Sequence, residues 1–403
     1  MKTIQRTLLA ASALALVGTA APANAATFVL NGVNAITNQA ARDGFLTAAN
    51  YWAQTLTNNV TVVLNVNFTS LGTSPNGTTL GQTSSTSYSV FAGDVAALIT
   101  DGQTSALDAL AATSVASVLA TDQVNFNRPG ALTATGGIDT TKQVFDNDNT
   151  VNNQRVIGTG ANLKALGYTG FTQPDGTITF NSDVAFDFNP TNGISSGTLD
   201  FVGVAIHEFG HALGFTSRTD VYDQFGCPKG PGCGTATGNS NFNTTTNGSL
   251  TVLDLFRYSS EGVRNVSPGQ EVYFSVDGGV SELYGNANMS TGVYHGDGRQ
   301  GSHCKAPARA CDEPAYIGTM NPYLCSGQMS DVTATDLGAF DAIGWTLSDG
   351  ARDNAAYNLS TAQIFNVFGV PEPATWLQLI IGFGVVGGSY RSARRRRAVL
   401  AAA

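Results

Sequence analysis

The stretch from Asp200 to Phe215, Asp-Phe-Val-Gly-Val-Ala-Ile-His-Glu-Phe-Gly-His-Ala-Leu-Gly-Phe, constrains this chain more than any other, because it holds two of only four histidines. His207 and His211 are four residues apart. On an α-helix that spacing sets both imidazoles on one face, one turn apart, where they can share a metal ion with Glu208 beside them. Asp200 is placed to cap such a helix, Phe201, Val204, Ile206 and Leu213 to bury it, and Gly214 to stop it.

The rest of the chain reads as α+β. Apolar residues at helical spacing (Phe45, Leu46, Ala49, Trp52, Leu56) predict a helix over 37–56, and the alternation Val60, Val62, Leu64, Val66, Phe68 predicts a half-buried strand. Further helices are expected at Val90 to Thr100 and Ser105 to Ala112, and strands at Thr177 to Phe180, Val184 to Phe188, Thr251 to Tyr258 and Gln270 to Val276. A helix lies within 330–345, with Thr333 as cap, Asp336 in its first turn, and Leu337, Phe340 and Ile343 as its buried face. The oxygen-rich run from Asp146 to Asn153 is either a solvated turn or a Ca2+ loop, although it lacks the Gly and Glu spacing of a known calcium loop.

Composition matters at the two ends. A basic start (Lys2, Arg6), an apolar run from Leu8 to Val17 and Ala23-Asn24-Ala25 form a secretory signal peptide over 1–26. At the other end Pro371-Glu372-Pro373 precedes an apolar stretch from Ala374 to Tyr390 and an arginine cluster, which by itself reads as a membrane anchor with positive-inside flanks. Only 12% of residues are charged and the net charge is −9; the two ends carry a surplus of six positive charges, so the body between them stands at −15. An acidic body without a basic patch argues against a nucleic-acid partner. Five cysteines, Cys227, Cys233, Cys304, Cys311 and Cys325, all follow the histidine helix. In an exported chain they pair rather than bind metal, Cys227 with Cys233 closing a short loop and one of the other three left over.

The order Pro-Glu-Pro, apolar span, arginine cluster resembles the PEP-CTERM sorting signal of Gram-negative bacteria. That resemblance implies transient inner-membrane anchoring by residues 371–403, removal by an exosortase-type enzyme, and release to the cell surface or matrix.

His207-Glu208-x-x-His211, followed three residues later by Gly214, resembles the metzincin zinc metalloproteases. A protease zinc needs three protein ligands and one open position. In the commonest metzincin pattern the third ligand stands three residues after the glycine, but Ser217 is found there. Asp220, Asp223, Glu261, His295 and His303 remain as candidates. The segment Gly301-Ser302-His303, 17 residues before Met320 in Gly-Thr-Met-Asn-Pro, resembles leishmanolysin-type metzincins, in which an insertion separates the third histidine from the helix.

The resemblance implies a Zn2+ held by His207, His211 and His303, Glu208 as general base and Met320 as a methionine turn under the zinc. Tyr323 is a candidate for oxyanion support. It also implies a twisted mixed sheet whose edge, at Val184 to Phe188, receives an extended protein or peptide substrate. The expected layout is an N-terminal subdomain over 27–214, a loop-rich C-terminal subdomain over 215–350 and a linker over 351–370. A catalytically silent matrix protein on the same fold, or a hydrolase of non-peptide amides, would carry the same motif.

Overall fold

A computed structural model describes residues 25–73, 78–131, 133, 138–225, 248–305 and 317–370. The signal peptide, the sorting tail, and Cys227, Cys233 and Cys311 lie outside the described residues. Among the described residues no helix is long and apolar enough to cross a membrane.

The architecture is α+β. Its principal sheet has four strands, β1 (Thr27–Asn31), β2 (Thr61–Thr69), β3 (Gly81–Ser85) and β4 (Gly176–Asn181), in the order β1-β2-β4-β3. The first three of that order run parallel and β3 runs antiparallel to β4 at one edge. Alternation decides which face is covered: Val62, Leu64, Val66, Ile178 and Phe180 point inward, whereas Asn65 and Thr177 hydrogen-bond across the opposite face.

Two helices cover the inner face. Helix α1 (Gln39–Thr55) is capped by Asn38, whose side chain accepts the Ala41 N–H, and buries Phe45, Ala48, Ala49 and Trp52. Helix α2 (Phe201–Ala212) lies against α1 and β3. Its first residue, Phe201, sits among Phe45, Phe180, Phe186 and Phe188 with ring centroids 4.8 to 5.2 Å away. Gly44 admits that ring, since a Cβ there would stand 2.4 Å from it. Each such aromatic pair adds roughly 0.5–1.5 kcal/mol beyond area burial, so the cluster anchors the start of α2. Further along, Trp52 Nε1 donates to the Ile206 carbonyl at 3.2 Å.

Helix α3 (Ala334–Ala342) has the expected Thr333/Asp336 capping box and buries Leu337 and Phe340. Trp345 beyond it donates from Nε1 to the Leu213 carbonyl at 2.8 Å, which ties this helix to the end of α2.

Several expectations change. Val90 belongs to a strand, Ser87–Phe91, and the helix begins at Ala92; the next helix runs over Ala106–Thr121, since the buried stripe Leu107, Ala111, Val115, Val118 continues past Ala112. Thr251 to Tyr258 is broken by a helical turn at Leu253–Phe256, and only Tyr273–Phe274 of 270–276 is strand. Val184 to Phe188 is not the sheet edge: Phe186–Asp187 pairs in parallel with Leu199–Asp200, and its phenylalanines turn in toward Phe201. In the Asp146 to Asn153 run, Asp146 pairs with Arg128 and accepts from Asn152, while Asn153 donates to the Val124 carbonyl. Those groups knit the scaffold instead of forming a calcium cradle.

Residues 351–370, expected as a linker, are part of the folded body. Asn358–Ser360 pairs antiparallel with Asp331–Thr333, and helix α4 (Thr361–Phe368) packs on α1. Asp200, fully buried, joins these parts: its carboxylate caps α2 through the Gly203 N–H at 3.0 Å and also accepts from the Ser330 N–H and the Thr361 hydroxyl.

Asp341 gives the fold a pH signature. Burial, and the neighbouring Asp108 carboxylate, push its carboxyl up to about 7, while one oxygen accepts the Ser105 hydroxyl at 2.6 Å. A raised carboxyl binds a proton in the native state that the unfolded chain has released, so its contribution is unfavourable above the native value and disappears as pH falls toward 4. Asp341→Asn is expected to raise stability at pH 8 by on the order of 1–3 kcal/mol and to leave it nearly unchanged at pH 4. Denaturant midpoints of the two proteins at both pH values check this.

Candidate metal centre

Helix α2 presents His207, Glu208 and His211 on one side, and its end is what completes the arrangement. Gly214, at φ +121°, takes the conformation that stops the helix, and the Phe215 N–H bonds back to the Gly210 carbonyl at 3.1 Å. The reversal delivers the Phe215 carbonyl to His211 Nδ1 at 2.7 Å. His207 Nδ1 meets the Thr319 carbonyl at 2.7 Å, and His303 Nδ1 the Gln300 carbonyl at 3.3 Å. Since a carbonyl only accepts, each Nδ1 carries the proton and each Nε2 presents a lone pair.

Those three Nε2 atoms converge, 3.0, 3.2 and 3.3 Å from one another. Nitrogen ligands at about 2.05 Å from a tetrahedral ion would stand about 3.3 Å apart. Three inward lone pairs repel one another unless a cation lies between them, so the donor set fits a metal ion. Among the described residues His207, His211 and His303 are the one such group. Burial lowers His211 to about 3 and His303 well below the ordinary histidine range, so both stay neutral as ligands must.

The other candidates have scaffold roles. Asp220 accepts the Gly301 N–H with both oxygens, at 2.9 and 3.0 Å, and the fully buried Arg257 donates to the Gly301 carbonyl at 3.2 Å. The two side chains grip opposite sides of one residue just before His303. Asp223 accepts the N–H groups of Tyr294 and His295, and Glu261 is exposed. None of Asp220, Asp223, Glu261 and His295 lines the cleft that contains the three histidines.

Met320 is fully buried beneath α2, its sulfur where a Cβ on Gly210 would come within 2.5 Å. Asp336 of α3 holds this turn by accepting the N–H groups of Thr319 and Met320 at 2.9 and 3.0 Å. Cys304, next to His303, is a buried free thiol whose pKa burial pushes up, whereas Cys325 is disulfide-bonded.

Glu208 faces the edge strand. Thr83 Oγ1 lies 2.7 Å from its Oε2, and a Cβ on Gly81 would stand 3.0 Å from its Oε1. Burial raises the Glu208 carboxyl above its usual range, against the lowering effects of His207 and the Thr83 hydroxyl.

The cleft, about 870 Å3, runs between β3 and a second wall formed by 299–303 and 318–324. The Asn181 N–H bonds to the Leu80 carbonyl and the Thr86 N–H to the Asp175 carbonyl. Antiparallel pairing alternates, so the even-numbered residues are bonded to β4 and the main-chain groups of Gly81, Thr83 and Ser85 are left on the outer edge.

Tyr323 lines the second wall with Arg299 stacked on its ring, 4.9 Å to the centroid. Sequence reasoning did not anticipate Thr83, Arg299 or Asn321. The last lines the cleft with both amide atoms buried and, among the described residues, without a hydrogen-bond partner. Its position directly after Met320 was the only signal available. No family model, curated protein or solved structure matches this chain.

Proposed function

We propose that the chain is an exported zinc endopeptidase of the metzincin class, leishmanolysin-like in its ligand arrangement. The observation that carries this reading is the convergence of His303 with His207 and His211 beside Glu208, on the floor of a cleft edged by a strand. Zinc held by three neutral imidazoles would supply Lewis acidity, bringing the pKa of bound water down to about 7 and polarising a carbonyl.

The chain's own groups do the rest. An extended peptide pairs with the outer edge of β3 through the main chain of Gly81, Thr83 and Ser85, which fixes its scissile carbonyl over the histidines. Glu208, held by Thr83, takes the proton of the attacking water and passes it to the leaving amine. The raised carboxyl suits the first of these steps, because in its ionised form it is a stronger base toward the water's proton. Tyr323 lines the opposite wall, and in this reading it supports the developing oxyanion.

The location follows from the two ends: a leader directs export, and the Pro-Glu-Pro tail anchors the protein in the inner membrane until an exosortase-type enzyme removes it.

The expected result is that purified protein carries one zinc per chain, cleaves casein or gelatin, loses that activity to a chelator and regains it with zinc. Elemental analysis and a gel-based cleavage assay check this. One bound zinc with no cleavage in a broad peptide library would instead favour a silent matrix protein.

A further inference from the structure

The second wall of the cleft begins with a cation. Arg299 lies four residues before His303 and is the only Lys or Arg among the described cleft-lining residues. Its main chain is fixed at both ends: its N–H donates to Asp297 Oδ1 at 3.2 Å and its carbonyl accepts the Gly292 N–H at 3.0 Å. Its guanidinium lies on the Tyr323 ring, yet the residue remains exposed.

Five other cations, Arg128, Lys142, Lys164, Lys305 and Arg352, are each paired with a carboxylate, but among the described residues none stands within ion-pair distance of Arg299. A guanidinium stacked on an aromatic face keeps the N–H groups along its edge free, and that planar fork matches a carboxylate in a two-bond contact. Stacking also restricts the side chain beforehand, so less freedom is lost when the contact forms.

Resting on the peptidase reading above, we propose that Arg299, held on Tyr323, forms a subsite for a carboxylate of the substrate and makes the enzyme selective for acidic peptides. Two sources share this chemistry, an Asp or Glu side chain and a free C-terminal carboxylate. The other carboxylates on the cleft, Glu208 and Asp331, repel a substrate acid, which leaves the Arg299 end as the place where it is accepted.

The test uses the full chain with its metal and internally quenched peptides of one frame, with Glu or Gln placed at each position in turn and the C-terminus amidated. A further acid-free pair ends in a free carboxylate or an amide. At one position Glu is expected to exceed Gln about tenfold in kcat/KM, mainly through KM. That ratio should fall to about one in Arg299→Gln and tip toward a Lys peptide in Arg299→Glu. If the free terminus is the source, the acid-free pair gives this preference instead.

The ratio is taken within each variant, so a general loss of stability does not move it. Anisotropy of the same peptides on the Glu208→Ala chain reads the preference without turnover. An unchanged ratio in Arg299→Gln, or no acidic preference in a wild-type chain that cleaves peptides, overturns the subsite alone. Failure to cut any peptide overturns the peptidase reading; equal binding within both the Glu/Gln and the free-carboxylate/amide pairs on the Glu208→Ala chain then overturns the subsite as well.

Discussion

Glu208→Ala is expected to reduce peptide hydrolysis by about 10²–10⁴-fold, the range for loss of a positioned general base, while metal content stays at one ion per chain. The two readouts separate because Glu208 is not among the three converging ligands; its carboxylate is directed at Thr83 and the edge strand. Glu208→Gln keeps the shape and an acceptor for the Thr83 hydroxyl, so it should match Ala in lost turnover and exceed it in stability. Single-turnover kinetics with elemental analysis check both. A variant that retains more than a tenth of the rate would assign the proton transfer to another group.

His303→Ala is expected to weaken metal binding on the order of 10³-fold or more, because one of three convergent imidazoles is removed from a site whose binding energy is shared among them. Asp220→Ala should weaken it by about 10–100-fold, the usual effect of a group that orients a ligand without touching the metal. The ordering follows from the contacts: Asp220 reaches the Gly301 N–H, two residues before the ligand, and Arg257 holds the same residue from its carbonyl side. Competition against a chelator of known affinity ranks the two variants. If Asp220→Ala lost the metal while His303→Ala kept it, the third ligand would be misassigned.

What could be read from the sequence was local. His207, Glu208 and His211 share one helical turn, and as helix caps or stops Asp200, Gly214 and the Thr333/Asp336 box act within a few residues of where they stand, so spacing and residue type identify them. His303 was only one of five candidates from the residues alone. What distinguishes it is the fixing of a loop 96 residues away by Asp220 and Arg257, and no periodicity encodes that.

The edge strand β3 was missed for a different reason. Gly-Gln-Thr-Ser-Ser has no apolar alternation, because one side of the strand meets the polar flank of α2 and its outer edge is open to the cleft. A strand that serves a site lacks the pattern by which buried strands are recognised. The phenylalanines at 186 and 188 misled in the opposite direction: they alternate like a half-buried strand, but they serve as packing around Phe201.

The packing of α4 against the body bears on how far the proposed peptidase could reach. Helix α4 ends at Phe368, and its first turn is bound to the cap of the histidine helix through Thr361 and Asp200. Only the five residues 369–373 separate it from the apolar span that starts at Ala374, a spacer of at most ~18 Å even when fully extended. Under the proposed anchoring, the body before sorting would therefore be held close to the bilayer, with little room to move away from it. Its accessible substrates at that stage would be those within a molecular diameter of the membrane surface. Removal of the tail would then change the proposed peptidase's range without altering a single residue of its cleft.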